Sequence, residues 1–178
     1  MRIIAGAWRS RPLDAPPGGG TRPTADRARE TLFSMLVSRL GSFEGLSVLD
    51  LFAGSGALAL EALSRGAARA ALVEKEPAAR RAIEANIRRF GAEARLIGHD
   101  AARLPPTVAP ADLIFLDPPY KSGLWLPALQ SAAAMGWVAP HAWITVETAR
   151  DEVVAVPGFG VETARGVGKA CLSLLRPD

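Results

Sequence analysis

The stretch 47-SVLDLFAGSGALALEALSRGAARAALVE-74 decides the fold, because it places a strand, a glycine turn, a helix and a second strand in immediate succession. The apolar run SVLDLF (47–52) is typical of a buried strand, and AALVE (70–74) is typical of another. Between them, ALALEALSR (57–65) has a helical pattern and is ended by Gly66, a residue type that commonly terminates helices. Two strands joined by one helix predict a parallel pair within an α/β fold.

The same alternation continues along the chain. A helix is predicted from Pro77, which suits a first turn, to Phe90, and another over 124–135. Further strands are predicted at 94–98, 111–117, 142–148, near 152–156 and near 169–175, with 159–163 as an additional candidate. Repeated strand–helix units of this kind predict a parallel sheet that is covered by helices on both faces.

The N-terminal part has a different pattern. Residues 2–13 are expected to form two short strands around a turn at Gly6, and PPGGG (16–20) is expected to be a loop. Thr24 is then expected to cap a helix that carries Asp26 in its first turn. The apolar face of that helix is predicted to consist of Leu32, Phe33, Leu36 and Leu40.

The composition is that of a globular protein with a core. The chain has 178 residues, of which 49% are hydrophobic and 22% are charged. Its single cysteine, Cys171, excludes a disulfide framework within the chain. Neither a signal-peptide core nor an apolar run of about 18 residues is present. We therefore expect a soluble, cytoplasmic protein that does not enter a membrane.

The excess of positive charge lies in the first forty residues. Residues 1–40 contain seven arginines and three acids, a balance of +4, whereas the rest of the chain has a balance of −1. Such a block favours an anionic partner, nucleic acid first, although a solvated helix face would give the same pattern. The candidate contacts to nucleic acid are Arg2, Arg9, Arg11 and Arg27.

Acidic residues stand at the carboxyl ends of the predicted strands, where ligands bind in sheets of this kind. They are Asp50, Glu74, Asp100 and Asp117. Glu74 follows Gly54 by 20 residues, which is the spacing of the ribose-binding acid in dinucleotide folds. The glycine loop is compatible with NAD, with S-adenosylmethionine (SAM) or with a turn that holds no ligand. Asp50 favours SAM, because SAM carries a positive sulfur and an ammonium group and no pyrophosphate.

The stretch 117-DPPY-120 ends the strand 111–117 in an unusual way. The residue before a proline is biased towards extended geometry, so Asp117 should project into the crevice, and Pro119 should fix the carbonyl of Pro118. A carboxylate and a fixed carbonyl are two acceptors that suit an NH2 group. Tyr120 offers a face on which a base can stack. The alternative is an ordinary turn without a ligand.

This signature resembles the D-P-P-[FYW] motif of amino-group methyltransferases, which favours SAM over NAD. The whole chain resembles the bacterial 16S ribosomal RNA guanine-N2 methyltransferases that modify guanine 966. The segments that carry this resemblance are 2-RIIAG-6, Arg9 with Arg11 and Leu13, 22-RPT-24, 26-DRARETLF-33, 50-DLFAGSGALALEALSRGA-67 and 117-DPPY-120. Ser10 departs from the family pattern, which has glycine between the two basic residues.

The resemblance implies the Rossmann-like fold of class I SAM-dependent methyltransferases. That fold has a central, mostly parallel, seven-stranded sheet with helices on both faces, here preceded by a small N-terminal β-hairpin. Residues 1–20 would form the basic hairpin and loop, and residues 21–178 would form the methyltransferase domain. The resemblance also implies methylation of a 16S ribosomal RNA guanine at N2, by a monomer acting on an assembled or partly assembled small subunit. SAM would be the cofactor, S-adenosylhomocysteine the product, and no metal is expected.

The roles of individual residues also follow from the resemblance. The catalytic set would be Asp117, Pro118, Pro119 and Tyr120. The cofactor-binding set would be Arg22, Thr24, Asp50, Phe52, Ala53, Gly54, Ser55, Gly56, Glu74, Lys75, Asp100, Ala101 and Asp117. Glu74 would accept from the ribose hydroxyls and Asp100 from the adenine amine.

Three rival functions stay open from the residues alone. An adenine-N6 methyltransferase would use the same D-P-P-Y motif, because both purines carry an exocyclic amine. An NAD-dependent oxidoreductase would use the glycine loop. A non-catalytic RNA-binding module would use only the basic block. His99 and His141 are isolated, and no Cys/His cluster suggests a metal site.

Overall fold

Seven strands form one central sheet. The computed structural model describes residues 1–18 and 23–178, with the backbone alone for Pro23 and Thr24. The strands are β1 (Ser47–Leu51), β2 (Arg69–Val73), β3 (Ala94–Ile97), β4 (Ala111–Leu116), β5 (Val138–Ala149), β6 (Phe159–Val167) and β7 (Ala170–Pro177). Their order in the sheet is β3-β2-β1-β4-β5-β7-β6.

Five strands run parallel, and the last two run antiparallel to their neighbours. β1 pairs with β2 and β4, while β3 and β5 extend the parallel part outward. β7 inserts between β5 and β6 and pairs antiparallel with both. The order of the strands reverses between β1 and β4, which opens a crevice beyond their carboxyl ends. The mostly parallel, seven-stranded sheet that the family resemblance implied is confirmed.

Helices cover both faces of this sheet. They are α1 (Pro23–Leu40), α2 (Ala57–Ser64), α3 (Pro77–Phe90), α4 (Trp125–Ala134) and a 3-10 helix at Ala101–Arg103. In β4, Leu113 and Phe115 belong to the core cluster under α1, α2 and α3, whereas Ile114 and Leu116 pack with α4 on the opposite face. Side chains alternate across a strand, so a fully apolar strand fills two cores. No helix within the described residues is long and apolar enough to span a membrane.

The two sides of the N-terminal segment pair with each other as predicted, but over a single antiparallel bridge, between Arg2 and Pro12, and not as two regular strands. Backbone bonds join the two sides, from the Ile3 N–H to the Arg11 carbonyl at 3.0 Å, from the Ser10 N–H to the Ile3 carbonyl at 2.9 Å and from the Leu13 N–H to the Met1 carbonyl at 3.0 Å. Other N–H groups of the segment bond to α2, since Ile4 and Ala5 donate to the buried carboxylate of Glu61 at 2.7 and 3.0 Å. The expected turn at Gly6 is present at φ +84°, and a Cβ there would lie 1.8 Å from the Ser64 carbonyl oxygen.

This segment belongs to the main core. Ile3 and Leu13 are buried in the same cluster as Phe33 and Leu36 of α1. Asn86 of α3 fixes the end of the segment through bonds to both the N–H and the carbonyl of Asp14. The division of the chain between residues 20 and 21 stays a prediction.

Three boundaries differ from those expected. The strand predicted near 152–156 is wrong, because residues 152–155 have no regular structure and only Val156 forms an isolated bridge, to Phe159. The additional candidate at 159–163 is part of the longer strand β6. Helix α1 begins at Pro23, so Thr24 lies within the helix and not before it.

Candidate active site

A cavity of about 680 Å³ lies at the carboxyl edge of the sheet. Residues at or after the carboxyl ends of β1, β2, β3 and β4 line it, together with Glu147 near the end of β5 and with residues at the starts of α1 and α4. Its lining residues are Ala25, Phe52, Val73, Glu74, Lys75, Glu76, His99, Asp100, Ala101, Ala102, Asp117, Pro118, Pro119, Tyr120, Leu124 and Glu147. The volume lies in the range of cavities that hold small-molecule ligands, ~300–1,000 Å³.

The loop after β1 makes a tight left-handed turn. Phe52, Gly54 and Gly56 have φ values of +66°, +59° and +82°. A Cβ at Gly56 would lie 2.9 Å from the Leu72 side chain, so the helix can approach β2 closely only because this residue is glycine. Phe52 lines the cavity, whereas Ala53, Gly54, Ser55 and Gly56 are not among its lining residues, so their contact with a cofactor stays a prediction.

Asp50 is buried beneath this loop. Its Oδ2 accepts the Ala59 N–H at 3.1 Å, in the first turn of α2, while Oδ1 is buried without a hydrogen-bond partner among the described residues. Burial raises the pKa of Asp50 to about 7, the Ala59 bond opposes that rise, and the charge of Glu74 adds to it. Asp50 does not line the cavity, so its contact with a cofactor stays a prediction.

The strand-end acids Glu74 and Asp100 do line the cavity, and backbone groups hold both of them. Glu74 accepts the N–H groups of Gly54 and Glu76, each at 2.9 Å. Asp100 accepts the Ala102 N–H at 2.9 Å and thereby begins the 3-10 helix. A carboxylate has about four acceptor positions, so each acid retains capacity for a ligand donor. The sequence therefore predicted their location correctly, since both stand at the carboxyl edge.

Asp117 follows β4 and opens into the cavity. No hydrogen bond to its carboxylate, and none to the Pro118 carbonyl, occurs among the described residues, whereas the Pro119 carbonyl accepts the Ser122 N–H at 3.3 Å. Although Asp117 is exposed to the cavity, protein atoms crowd its carboxyl. This loss of solvation raises the pKa of Asp117 well above its usual range, and the charges of Glu147 and Asp50 raise it further.

Tyr120 is held by a residue that the sequence analysis missed. Its hydroxyl donates to Glu147 Oε1 at 2.7 Å, and its side chain is 47% exposed at the rim of the cavity. Desolvation, this bond and the charge of Glu147 all raise the pKa of Tyr120. Burial raises the pKa of Glu147, although the bond from Tyr120 lowers it. The signal was present, because Glu147 stands near the end of the predicted strand 142–148, where the other strand-end acids were sought.

Glu152 ties the D-P-P-Y turn to the end of β5. Its Oε2 accepts the N–H of Lys121 at 3.0 Å and the N–H of Ala149 at 2.7 Å. Lys121 has φ +57°, an uncommon backbone conformation for a residue other than glycine, and this bond holds it there. Glu152 therefore fixes the turn that carries Tyr120, and its own N–H donates to the Ala149 carbonyl at 3.0 Å, which closes the turn that ends β5.

The predicted residues that precede Ala25 fall partly outside the described structure. Arg22 lies outside the described residues, and so does the side chain of Thr24. Ala25, the third residue of α1, lines the cavity. The start of α1 therefore borders the site, as the cofactor-binding prediction for this segment requires, but the roles of Arg22 and Thr24 stay predictions.

The candidate RNA contacts are exposed, but they do not surround the cavity. Arg2, Arg9, Arg11 and Arg27 are exposed, whereas Arg29 is buried and donates to the Arg2 carbonyl at 2.7 Å.

Arg9 and Arg11 lie near the far end of α3. Trp8 packs on Phe90, the last residue of that helix, and Arg11 lies over the same ring at 4.4 Å. Helix α3 has 14 residues and returns from the carboxyl edge, so its end lies roughly 20 Å from the cavity. An RNA that contacted both places would have to span that distance.

The sheet order, the glycine loop and the cavity at the strand reversal together define a Rossmann-like α/β methyltransferase fold. A solved structure from Escherichia coli, the candidate methyltransferase yhhF, superposes on this chain with a TM-score of 0.84 at 35% identity, over 100% of this chain and 98% of that one. The chain belongs to the family described as Conserved hypothetical protein 95, whose sequence model matches residues 1–176.

Two curated relatives carry the same name. The ribosomal RNA small subunit methyltransferase D of Escherichia coli (strain K12) is 41% identical over 150 residues, which are 83% of this chain and 74% of that protein. The protein of that name from Haemophilus influenzae is 36% identical over 163 residues, or 88% of this chain and 83% of that one. The family that the sequence resembled is thereby confirmed.

Proposed function

We propose that this chain transfers a methyl group from SAM to the exocyclic N2 amine of a guanine in 16S ribosomal RNA, the position equivalent to guanine 966. One observation carries the proposal. At the end of β4, the Asp117 carboxylate and the Pro118 carbonyl lie in one cavity without a hydrogen-bond partner among the described residues. The names of the curated relatives support ribosomal RNA of the small subunit as the substrate.

The cavity has the features that SAM requires. Glu74 and Asp100 line it as acceptors for ribose hydroxyls and an adenine amine, and Phe52 adds an apolar wall. Asp50 Oδ1, at the end of β1 beneath the glycine loop, is a buried oxygen without a partner among the described residues, and that loop would lie along the methionine part. SAM would supply a methyl group that its positive sulfur activates for transfer.

The protein contributes to the reaction mainly by positioning the amine. The lone pair of a guanine amine is delocalised into the ring, which makes the amine a poor nucleophile. Two acceptors that bond its hydrogens favour a pyramidal nitrogen whose lone pair is directed away from the ring plane. Well-aligned groups reach effective molarities of roughly 10⁵–10⁸ M. Asp117 also accepts the proton that the amine loses after transfer, which its raised pKa favours.

Tyr120 completes the site as a stacking surface. Its ring is fixed at the rim by the bond to Glu147, so the ring need not be ordered when a base arrives. Base–aromatic stacking contributes about 1–3 kcal/mol. The base must first leave its own stack, at a cost of about a few kcal/mol, which a loop nucleotide lowers. We infer that a monomer acts on an assembled or partly assembled small subunit, because the chain offers only a small basic surface of its own.

The test is methyl transfer to small ribosomal subunits purified from a strain that lacks the gene. We expect one SAM-dependent product, N2-methylguanine, at a single position of the 16S RNA. N6-methyladenine as the product would establish the adenine alternative. Calorimetry with SAM and with NAD distinguishes the remaining rivals, because an oxidoreductase would bind NAD and an RNA-binding module would bind neither.

A further inference from the structure

Glu147 stands beside Asp117, although thirty residues separate them in the sequence. Leu116 of β4 pairs with Val146 of β5 in parallel register, so the next residue of each strand is also adjacent. Neighbouring strands lie about 4.8 Å apart, and residues in register direct their side chains to the same face. Both acids line the same cavity. They form one acidic pair at its floor.

Glu147 has acceptor capacity to spare. Its Oε1 accepts the Tyr120 hydroxyl, and no other hydrogen bond to this carboxylate occurs among the described residues. Its side chain is half-buried, and Oε2 accepts no hydrogen bond from the described residues. This end of the cavity therefore carries three unfilled acceptors: the Asp117 carboxylate, the Pro118 carbonyl and Glu147 Oε2.

Three adjacent hydrogen-bond acceptors require a ligand with adjacent hydrogen-bond donors. Guanine offers them, because its N1–H and its N2 amine lie next to each other on the Watson–Crick edge and supply three hydrogens. Adenine supplies only the two hydrogens of its N6 amine, and its N1 and N7 are acceptors. An enzyme that takes a base out of its stack reads this edge by hydrogen bonds.

We propose that Glu147 selects guanine by accepting the N1–H of the base, while Asp117 and Pro118 hold the neighbouring N2 amine. This inference rests on the proposed function and identifies the residue that reads the base. An adenine placed with its N6 amine on Asp117 turns the N1 lone pair towards the Glu147 carboxylate. Two acceptors then face each other in a desolvated place, which is unfavourable.

The pKa shifts of Asp117 and Glu147 agree with this assignment. Burial raises the pKa of Glu147, and the charge of Glu147 raises the pKa of Asp117. Each carboxylate is therefore poorly compensated by the protein alone. Hydrogen bonds from N1–H and from the N2 amine favour the charged forms and supply the missing compensation.

The test replaces the target guanine by 2-aminopurine, which keeps the 2-amine but has a lone pair at N1. Wild-type protein is assayed on small subunits reconstituted with RNA that carries either base at the target position. We expect the rate on guanine to exceed the rate on 2-aminopurine by at least about 100-fold, because a site built for an N–H group rejects a base that lacks it.

Two variants distinguish the two possible roles of Glu147, which are recognition of the base and support of Tyr120. Glu147→Gln keeps an oxygen for the Tyr120 hydroxyl and offers an amide N–H to the N1 lone pair, so the ratio of the two rates should fall at least about tenfold. Tyr120→Phe removes the bond to Glu147 but keeps the carboxylate. It should lower both rates together and leave their ratio within a factor of about three. Glu162→Gln, an exposed change on β6, controls for general effects.

The outcomes distinguish the inference from the proposed function. If wild-type protein methylates guanine at N2 and treats 2-aminopurine equally well, Glu147 does not read N1–H. The inference also fails if Glu147→Gln keeps the wild-type ratio, or if Tyr120→Phe changes the ratio as much as Glu147→Gln does. If no N2-methylguanine forms with wild-type protein on natural subunits, it is the proposed function that fails.

Discussion

The acids in the two halves of the carboxyl edge of the sheet differ in how many hydrogen bonds the protein donates to them. Beyond β2 and β3, backbone N–H groups hold the carboxylates of Glu74 and Asp100. Beyond β4 and β5, Asp117 has no hydrogen-bond partner among the described residues, and Glu147 is held by a single hydroxyl. In the first half, both of these carboxylates are already held by the backbone. The second half places two negative groups together and leaves their compensation to whatever binds there.

Under the proposed function, the first half would bind the cofactor and the second half the substrate base. A cofactor site whose acids are fixed by the turn of the glycine loop requires little ordering when the cofactor arrives. A substrate site whose acids have raised pKa values gains from every donor that a base brings. Two of the three acids among the described residues whose pKa is raised, Asp117 and Glu147, therefore lie in the half that is proposed to bind the substrate, and the third is Asp50.

The largest effect is expected from Asp117→Asn, which changes the substrate half alone. Removal of one positioned group that acts in the transition state typically costs about 10²–10³-fold in rate. We expect methyl transfer to fall by at least that factor, while the Kd for SAM changes less than about threefold. Labelled-methyl transfer and calorimetry measure the two quantities. Near-normal transfer by this variant would remove Asp117 from the role proposed here.

Glu74→Gln should show the reverse pattern. The amide can satisfy only one of the two N–H groups, of Gly54 and Glu76, and its own NH2 then faces the other donor. Loss of the hydrogen bond between the SAM ribose and a charged acceptor, about 1.5–3 kcal/mol, predicts that the Kd for SAM rises by roughly 10–100-fold. Saturating SAM should restore most of the transfer rate. An unchanged Kd would make Glu74 a support of the glycine turn only.

A third expected effect concerns Asp50. It belongs to the cofactor half, but burial raises its pKa, as it does for Asp117 in the substrate half. The pKa of Asp50 is about 7 in the folded protein against 3.8 unfolded, so the folded state retains a proton that the unfolded state has lost. This contribution to stability is complete below the unfolded pKa and is lost as the pH rises through about 7. The loss amounts to at most about 1.4 kcal/mol per pH unit within that window.

Asp50→Asn should remove this dependence, because the amide oxygen can still accept the Ala59 N–H and carries no charge. Urea unfolding at pH 5 and pH 8 measures the effect. We expect the variant to gain stability relative to wild type at pH 8 compared with pH 5. The exposed control Glu162→Gln should show no such gain. Parallel curves for Asp50→Asn and wild type would mean that Asp50 stays charged in the fold.

The smallest effect is expected from Arg9→Ala, since Arg9 is exposed and lies far from either half of the edge. Loss of one phosphate contact should weaken RNA binding a few-fold and reduce the slope of log affinity against log salt by about one. The matched control is Arg165→Ala, exposed on the edge strand β6. Equal slopes for wild type and Arg9→Ala would show that the N-terminal arginines form only a solvated face.

Much of the fold could be predicted, because strands and helices leave local periodic signals. The helix predicted from Pro77 to Phe90 is present with those bounds, and the unit around Gly54 and Gly56 forms as expected. The segment 152–156 was mispredicted for a nonlocal reason. The Glu152 carboxylate accepts the N–H of Lys121, and no local sequence pattern predicts that contact.

Residues that join distant segments were likewise missed. Glu61 and Asn86 are buried polar residues in helices, and both anchor the N-terminal segment. Asn86 also donates to the Ser55 carbonyl of the glycine loop at 2.9 Å. A polar residue on an apolar helix face signals a buried partner, but it does not identify that partner. The N-terminal hairpin does not form regular strands for a related reason, because the N–H groups of Ile4 and Ala5 bond to Glu61 of α2.

The sequence by itself determined the class of the sheet, the glycine turn and the acids at the strand ends, since each depends on residues close together in the chain. Only the tertiary structure decided that Glu147 stands beside Asp117 and holds Tyr120. That neighbourhood depends on the register of β4 against β5, which is fixed by the packing of two cores on opposite faces of the sheet. A shift of one residue would direct Glu147 to the other face, so the site depends on a contact that no local pattern encodes.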